Sequence, residues 1–125
     1  MAFRLERQKT GSTPYVLIDE ESNYLKLEGE SFHENVAEFF KDVSYWLCDF
    51  LKTDFDRFTF DCELSYFNSS TAKLLLNMLM DMDASPRAKN IVVNWITTED
   101  NDIIIECGED FQEDLDALQF NLTIK

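Results

Sequence analysis

From residue 14 onward, apolar positions fall into alternating and helical patterns that divide the chain into elements. Tyr15-Val16-Leu17-Ile18-Asp19 and Tyr24-Leu25-Lys26-Leu27-Glu28 flank the polar turn Glu20-Glu21-Ser22-Asn23, which predicts a hairpin ended by Gly29. Ser31-Phe32-His33-Glu34 then fits an S-x-x-E capping box. Behind it Phe32, Val36, Phe39, Phe40, Val43, Trp46, Leu47, Phe50 and Leu51 recur at helical spacing, with Glu38, Lys41, Asp42 and Asp49 opposite. One long amphipathic helix ending near Lys52 is expected. Phe58, Phe60, Cys62, Leu64 and Tyr66 alternate with Thr59, Asp61, Glu63 and Ser65, as in a half-buried strand. A second helix runs from Ser69 to Asp83 and stops before Pro86. A strand at Ile91–Ile96, a third helix from near Asp100 to about Leu115, and a last strand marked by Phe120, Leu122 and Ile124 complete the pattern.

The predicted order is ββαβαβαβ, an α/β fold with a mixed sheet and crossover helices. Lys26 and Glu28, then Asp61, Glu63 and Ser65, then Asn121 and Thr123 share one side of their strands. A sheet covered on both faces reads as continuous apolar runs instead. Helices are therefore expected mainly on one face, with the other open and acidic. Phe39, Phe40, Trp46, Phe60, Leu64, Leu75, Leu79, Val93 and Phe120 are the expected core. With three Gly, two Pro and no repeat or linker, residues 1–125 read as a single domain, residues 1–13 being a loose N-terminal segment.

Composition narrows the function. A chain of 125 residues with 45% apolar content can bury one core without stapling. Its 11 basic and 25 acidic residues give a net charge of −14, which repels phosphate backbones and anionic membranes, so neither nucleic acid nor membrane is an expected partner. Cys48, Cys62 and Cys107 are odd in number and form no C-x-x-C clip, the first residues lack a signal-peptide core, and no apolar run is long enough to span a bilayer. A reduced, cytoplasmic protein is expected, with Cys62 and Cys48 as inert core fillers.

Catalytic chemistry is thinly represented. His33 is the only histidine and has no nucleophile beside it, and Glu99-Asp100-Asn101-Asp102 lacks the glycine of a calcium loop. No nucleotide-binding, zinc-protease or nucleophile-elbow motif occurs, so no catalytic residue, metal or cofactor is expected. The informative stretch is Leu64-Ser65-Tyr66-Phe67-Asn68-Ser69-Ser70-Thr71-Ala72-Lys73, which joins a strand end to a helix start, where ligand contacts collect in α/β sheets. Ser69 reads either as a helix N-cap or as a regulated phosphorylation site, with Ser70 and Thr71 as rival acceptors. A helix N-terminus accommodates both roles, since its free N–H groups satisfy a hydroxyl oxygen or a phosphate. In the helix that follows, Ala72, Leu75, Leu76, Leu79 and Met82 make a core stripe, while Leu74, Met78 and Met80 lie off it. That leaves either a deeply buried helix or a partner-binding patch.

Several ordered segments resemble the SiaC family of bacterial regulatory phosphoproteins. They are Ser12-Thr13-Pro14, Leu27-Glu28-Gly29-Glu30-Ser31-Phe32-His33-Glu34-Asn35 with Glu38-Phe39-Phe40, Tyr66-Phe67-Asn68-Ser69-Ser70, and Gly108-Glu109-Asp110-Phe111-Gln112-Glu113-Asp114. The resemblance implies a fold similar to the STAS anti-sigma-factor antagonists and a non-enzymatic switch in biofilm-type signalling. It further implies a dedicated kinase, a PP2C-type phosphatase, and a diguanylate cyclase activated by the unmodified form. The acceptor maps onto Ser69, where Thr is usual in the family, within a loop of Tyr66, Phe67 and Asn68; His33 stands where Pro is common. A small acidic enzyme with a carboxylate-lined cleft, or an unmodified structural adaptor, are the alternatives.

Overall fold

The computed structural model describes residues 2–125. Strand β1 (Arg4–Arg7) pairs antiparallel with β2 (Tyr15–Asp19), and β2 pairs antiparallel with β3 (Tyr24–Ser31). A 3-10 turn at Glu20–Ser22 links β2 to β3 and ends on Asn23 at φ 52°, a left-handed position that Asn tolerates through its short polar side chain. Helices α1 (Val36–Phe39) and α2 (Lys41–Phe50) lead to β4 (Phe58–Phe67). Helix α3 (Ser69–Asp83) leads to β5 (Ile91–Thr97), and α4 (Asp102–Glu113) leads to β6 (Gln119–Ile124). The six strands lie in chain order, parallel from β3 to β6. Right-handed crossovers that always step the same way put every helix on one face.

The other face is open, as the alternation predicts, but its acids are partnered. Tyr24 donates to Asp61 Oδ2 at 2.6 Å, Asn94 donates to Asp61 Oδ1 at 2.8 Å, and Asn121 donates to Asn94 Oδ1 at 3.0 Å. This chain of bonds crosses β3, β4, β5 and β6. Burial, then the bond to Asp61, raises the Tyr24 phenol above its ordinary pKa. Lys26 pairs with Glu28 and Lys125 with Glu63 on the same side.

Four local expectations are corrected. Residues 1–13 are not all loose, because Arg4–Arg7 forms an edge strand; Leu5 is its only apolar residue, so no alternation betrays it. The element order becomes βββααβαβαβ. Gly29 does not end its strand: at φ 116° it carries β3 past a register shift, where Ser65 of β4 is the extra residue, on to Ser31. Ser31 is not a helix cap but the buried last residue of β3, and Asn35 caps α1 by accepting the Glu38 N–H at 3.3 Å. Phe32 consequently lies outside the helix and is 41% exposed. The expected single helix also breaks at Phe40.

Eight of the nine expected core residues are buried, and Phe39 is half-buried beneath the Arg7 guanidinium. Trp95 anchors the far end of the core, edge-on to Phe67 and Phe111 and stacked on Phe120. Its indole N–H donates to the Ile104 carbonyl of α4 at 2.9 Å. A Cβ on Gly108 would lie 2.5 Å from the Trp95 ring, so only glycine lets α4 come this close.

Asp83, the last residue of α3, accepts the backbone N–H groups of Asp116, Ala117 and Leu118 at 2.7–3.2 Å and clamps the α4–β6 loop. Burial acts to raise its pKa, but these backbone bonds more than reverse that, leaving the carboxyl below its ordinary value. A group with a lowered folded pKa stabilises the fold above its unfolded pKa of about 3.9, and that contribution is lost as pH falls through the folded value. Asp83→Asn is expected to cost about 1–3 kcal/mol at neutral pH. It should also flatten the loss of stability on acidification below about pH 4. Urea denaturation of both proteins across that range checks it, and parallel pH profiles would show that the clamp does not depend on the charge.

Candidate functional site at the carboxyl edge of the sheet

The segment singled out by the sequence lies where β4 leaves the sheet and α3 begins. Asn68 stands between them in extended conformation, and its Oδ1 accepts the Thr71 N–H at 2.9 Å. Asn68, not Ser69, is therefore the N-cap. Ser69 becomes the first residue of a 15-residue helix, and both Ser69 and Ser70 are exposed.

Thr71 differs from them, being fully buried. Its hydroxyl donates to the Ser31 carbonyl at 3.1 Å, and the two side-chain oxygens lie 2.9 Å apart. With the Thr71 proton committed to the carbonyl, Ser31 donates in the second bond. The Asn68 N–H donates to the same Ser31 carbonyl at 3.1 Å. Thr71 thus bolts the start of α3 to the end of β3 and offers no hydroxyl to solvent.

Neighbouring strands hold the rim. Asn101 caps α4 by accepting the Ile104 N–H, and it donates to the Ser65 carbonyl at 2.9 Å. Tyr66 and Phe67 point to opposite faces. Tyr66 is 49% exposed and meets Phe32 edge-on at 5.8 Å, while Phe67 packs against Trp95. The His33 Nδ1 accepts the Asn35 N–H at 3.0 Å, a turn-shaping role. Ser31, Phe32 and Asn101 were not legible as site residues, because they come from the end of β3, the loop after it and the cap of α4, and share no motif with Ser69.

A groove of about 490 Å³ separates α3 from α1 and α2. Ser70, Lys73, Leu74, Asn77 and Met78 line its α3 side, and Val36, Leu47 and Cys48 line the other. The expected patch of Leu74, Met78 and Met80 is therefore divided. Met78 is a buried part of the groove floor beside half-buried Leu74. Met80, 43% exposed, projects elsewhere, because two residues rotate about 200° around a helix. The buried stripe is Thr71, Leu75, Met78, Leu79 and Met82, shifted from the one the sequence suggests.

Cys48 is exposed at the groove rather than a core filler, whereas Cys62 is buried and burial pushes its thiol up. Burial, then the Asp110 charge, pushes Cys107 up to about 11. Among the described residues no three His, Cys, Asp or Glu side chains converge as metal ligands. No helix among them is long and apolar enough to cross a membrane.

These features define a mixed α/β domain with a one-sided helix layer and exposed serines opening a helix at the sheet's carboxyl edge. Residues 7–125 match the SiaC family regulatory phosphoproteins, and the chain belongs to that family. It is 29% identical to a protein of Pseudomonas aeruginosa strain UCBPP-PA14 over 106 residues, 84% of each chain. It is also similar to apo-SiaC from Pseudomonas aeruginosa, with 26% identity and a TM-score of 0.86, covering 97% of this chain and 98% of that one. A third match is in the crystal structure of diguanylate cyclase SiaD in complex with its activator SiaC from the same organism. There the identity is 28% and the TM-score 0.86, with 97% of this chain and 99% of that one covered.

The bonding pattern ranks three substitutions. Thr71→Val keeps the volume but strands the Ser31 hydroxyl in the interior, costing about 1–3 kcal/mol. Asn68→Ala removes the cap, for about 1 kcal/mol. Ser69→Ala, at an exposed position that caps nothing, should stay within about 0.5 kcal/mol. Guanidinium unfolding of the three variants checks the order; a larger loss for Ser69→Ala than for Asn68→Ala would reassign the cap.

Proposed function

We propose that this protein is a phosphorylation-switched regulator with no catalysis of its own. Unmodified, it binds and activates a diguanylate cyclase in the cytoplasm; phosphorylated on Ser69, it releases that partner. A dedicated kinase adds the phosphate and a PP2C-type phosphatase removes it, within biofilm-type signalling. Membership of a regulatory phosphoprotein family supports this reading, as does the similarity to a structure in which SiaC is the activator of a diguanylate cyclase.

The single observation that carries it is an exposed hydroxyl on the first residue of a 15-residue helix. Free N–H groups and the positive end of the helix dipole tolerate a phosphate there, so the fold survives modification. The same placement agrees with the implied likeness to anti-sigma-factor antagonists. Ser70, which lines the groove, is the remaining rival acceptor.

The groove with Leu74 and Met78 at its floor is the proposed effector surface. Ser69 directly precedes Ser70 of the groove lining, so a partner seated there and reaching Ser69 would have to strip water from a dianion, which is costly without a matching Arg or Lys. The enzyme alternative is not favoured, since Asp61 and Glu63 are already tied to neighbouring side chains.

Ser69→Ala is expected to abolish phosphate incorporation while keeping cyclase activation. Asn77→Arg, which fills the groove from an exposed position, should weaken cyclase binding about tenfold, and Met80→Ala should leave it unchanged. Radiolabel incorporation and calorimetry check these. Incorporation that persists in Ser69→Ala and disappears in Ser70→Ala would move the acceptor by one residue.

A further inference from the structure

A second groove, of about 590 Å³, runs along the other flank of α2, between that helix and the edge strand β1. Phe3, Leu5, Trp46 and Phe50 form its floor, and Tyr45 stands beside them 68% exposed. Phe3 is itself 41% exposed. Trp46 is held in place by stacking on Phe50 at 4.8 Å and by its indole N–H, which donates to Glu20 Oε1 at 2.7 Å. Trp46 and Phe50 are thus buried beneath the groove, and the apolar surface left open to a partner is Phe3, Tyr45 and half-buried Leu5.

The rim is of one sign. Glu20, Asp42 and Asp49 line the groove, and no Lys or Arg does. Arg7 reaches Asp42 from β1, leaving Glu20 and Asp49 without a basic partner among the ion pairs of the described residues. An acidic segment is repelled here, on a protein of net charge −14. A Lys or Arg gains both from the rim carboxylates and from the exposed ring of Tyr45.

We propose that this groove docks an amphipathic helix of a partner protein. Its apolar stripe would lie on Phe3, Leu5 and Tyr45, over the buried Trp46 and Phe50, with flanking Lys or Arg side chains meeting Glu20 and Asp49. Helix α2 stands between this groove and α3, so docking is independent of Ser69 phosphorylation. The partner is held in both states of the switch. This inference does not rest on the Ser69 reading.

The test uses a synthetic helical peptide of about 14 residues, with Leu at i, i+3, i+4, i+7 spacing flanked by Lys, and a control with Glu in place of every Lys. Calorimetry and amide NMR shifts are measured with the full chain. Saturable one-to-one binding is expected, with shifts concentrated at Phe3, Tyr45, Asp49 and the Trp46 indole. Tyr45→Ala and Asp49→Lys, both at exposed helix positions, should each weaken binding about tenfold, and the Glu peptide should not bind. Ser69→Glu should leave the affinity within about twofold. No saturable binding of the Lys peptide, shifts spread over the whole acidic surface or centred on the α2–α3 groove, or undiminished binding by Tyr45→Ala would overturn the proposal. A large effect of Ser69→Glu would overturn its independence from the switch.

Discussion

The buried hydroxyl pair of Ser31 and Thr71 is the constraint on which the site depends. A strand end and a helix start each bring unpaired backbone groups into the interior, and these must be satisfied where water is absent. The Ser31 carbonyl takes both the Asn68 N–H and the Thr71 hydroxyl, and Asn68 in turn accepts the Thr71 N–H. Three groups from two elements close one small network. Its result is positional: with Thr71 turned inward and Asn68 committed as the cap, the hydroxyls of Ser69 and Ser70 are the ones presented to solvent.

The one-sided helix layer has a second consequence. Because all crossovers pass over the same face, α2 is flanked by α3 on one side and by the edge strand β1 on the other, and each flank carries a groove. The groove that Ser70 lines has a mixed lining that includes Lys73, while the other is aromatic and purely acidic at its rim. On the open sheet face the Tyr24–Asp61–Asn94–Asn121 bonds tie four strands together.

Strand and helix periodicity was strong where one face is buried and weak elsewhere. Helix α3 appears over the predicted span and β4 close to it, and the hairpin pairs as expected although its second strand runs on to Ser31, because these elements are bounded by clear turn and cap signals. Arg4–Arg7 has a single apolar residue and so no period to detect. The Ser31 capping box matched a real pattern in the wrong place: the same S-x-x-E spacing precedes a helix whose true cap is four residues on, at Asn35. Gly29 is ambiguous in sequence, since a glycine suits a strand end and a bulge equally. The loop around Ser69 was legible because hydroxyls at a helix start have a physical meaning. The buried side of α3 was not, because a helix that is apolar nearly all round leaves that side to be chosen by its neighbours, and here Thr71 and Met78 turned inward.

The central claim is that phosphate on Ser69 acts at an interface rather than on the fold. It is tested most directly by calorimetry of a diguanylate cyclase from the same organism against unmodified protein and against protein stoichiometrically phosphorylated on Ser69, with circular dichroism on both forms. The account predicts indistinguishable folded spectra and a loss of affinity of about tenfold or more on phosphorylation. Equal affinity of the two forms, or loss of the folded signal in the phosphorylated one, would contradict it.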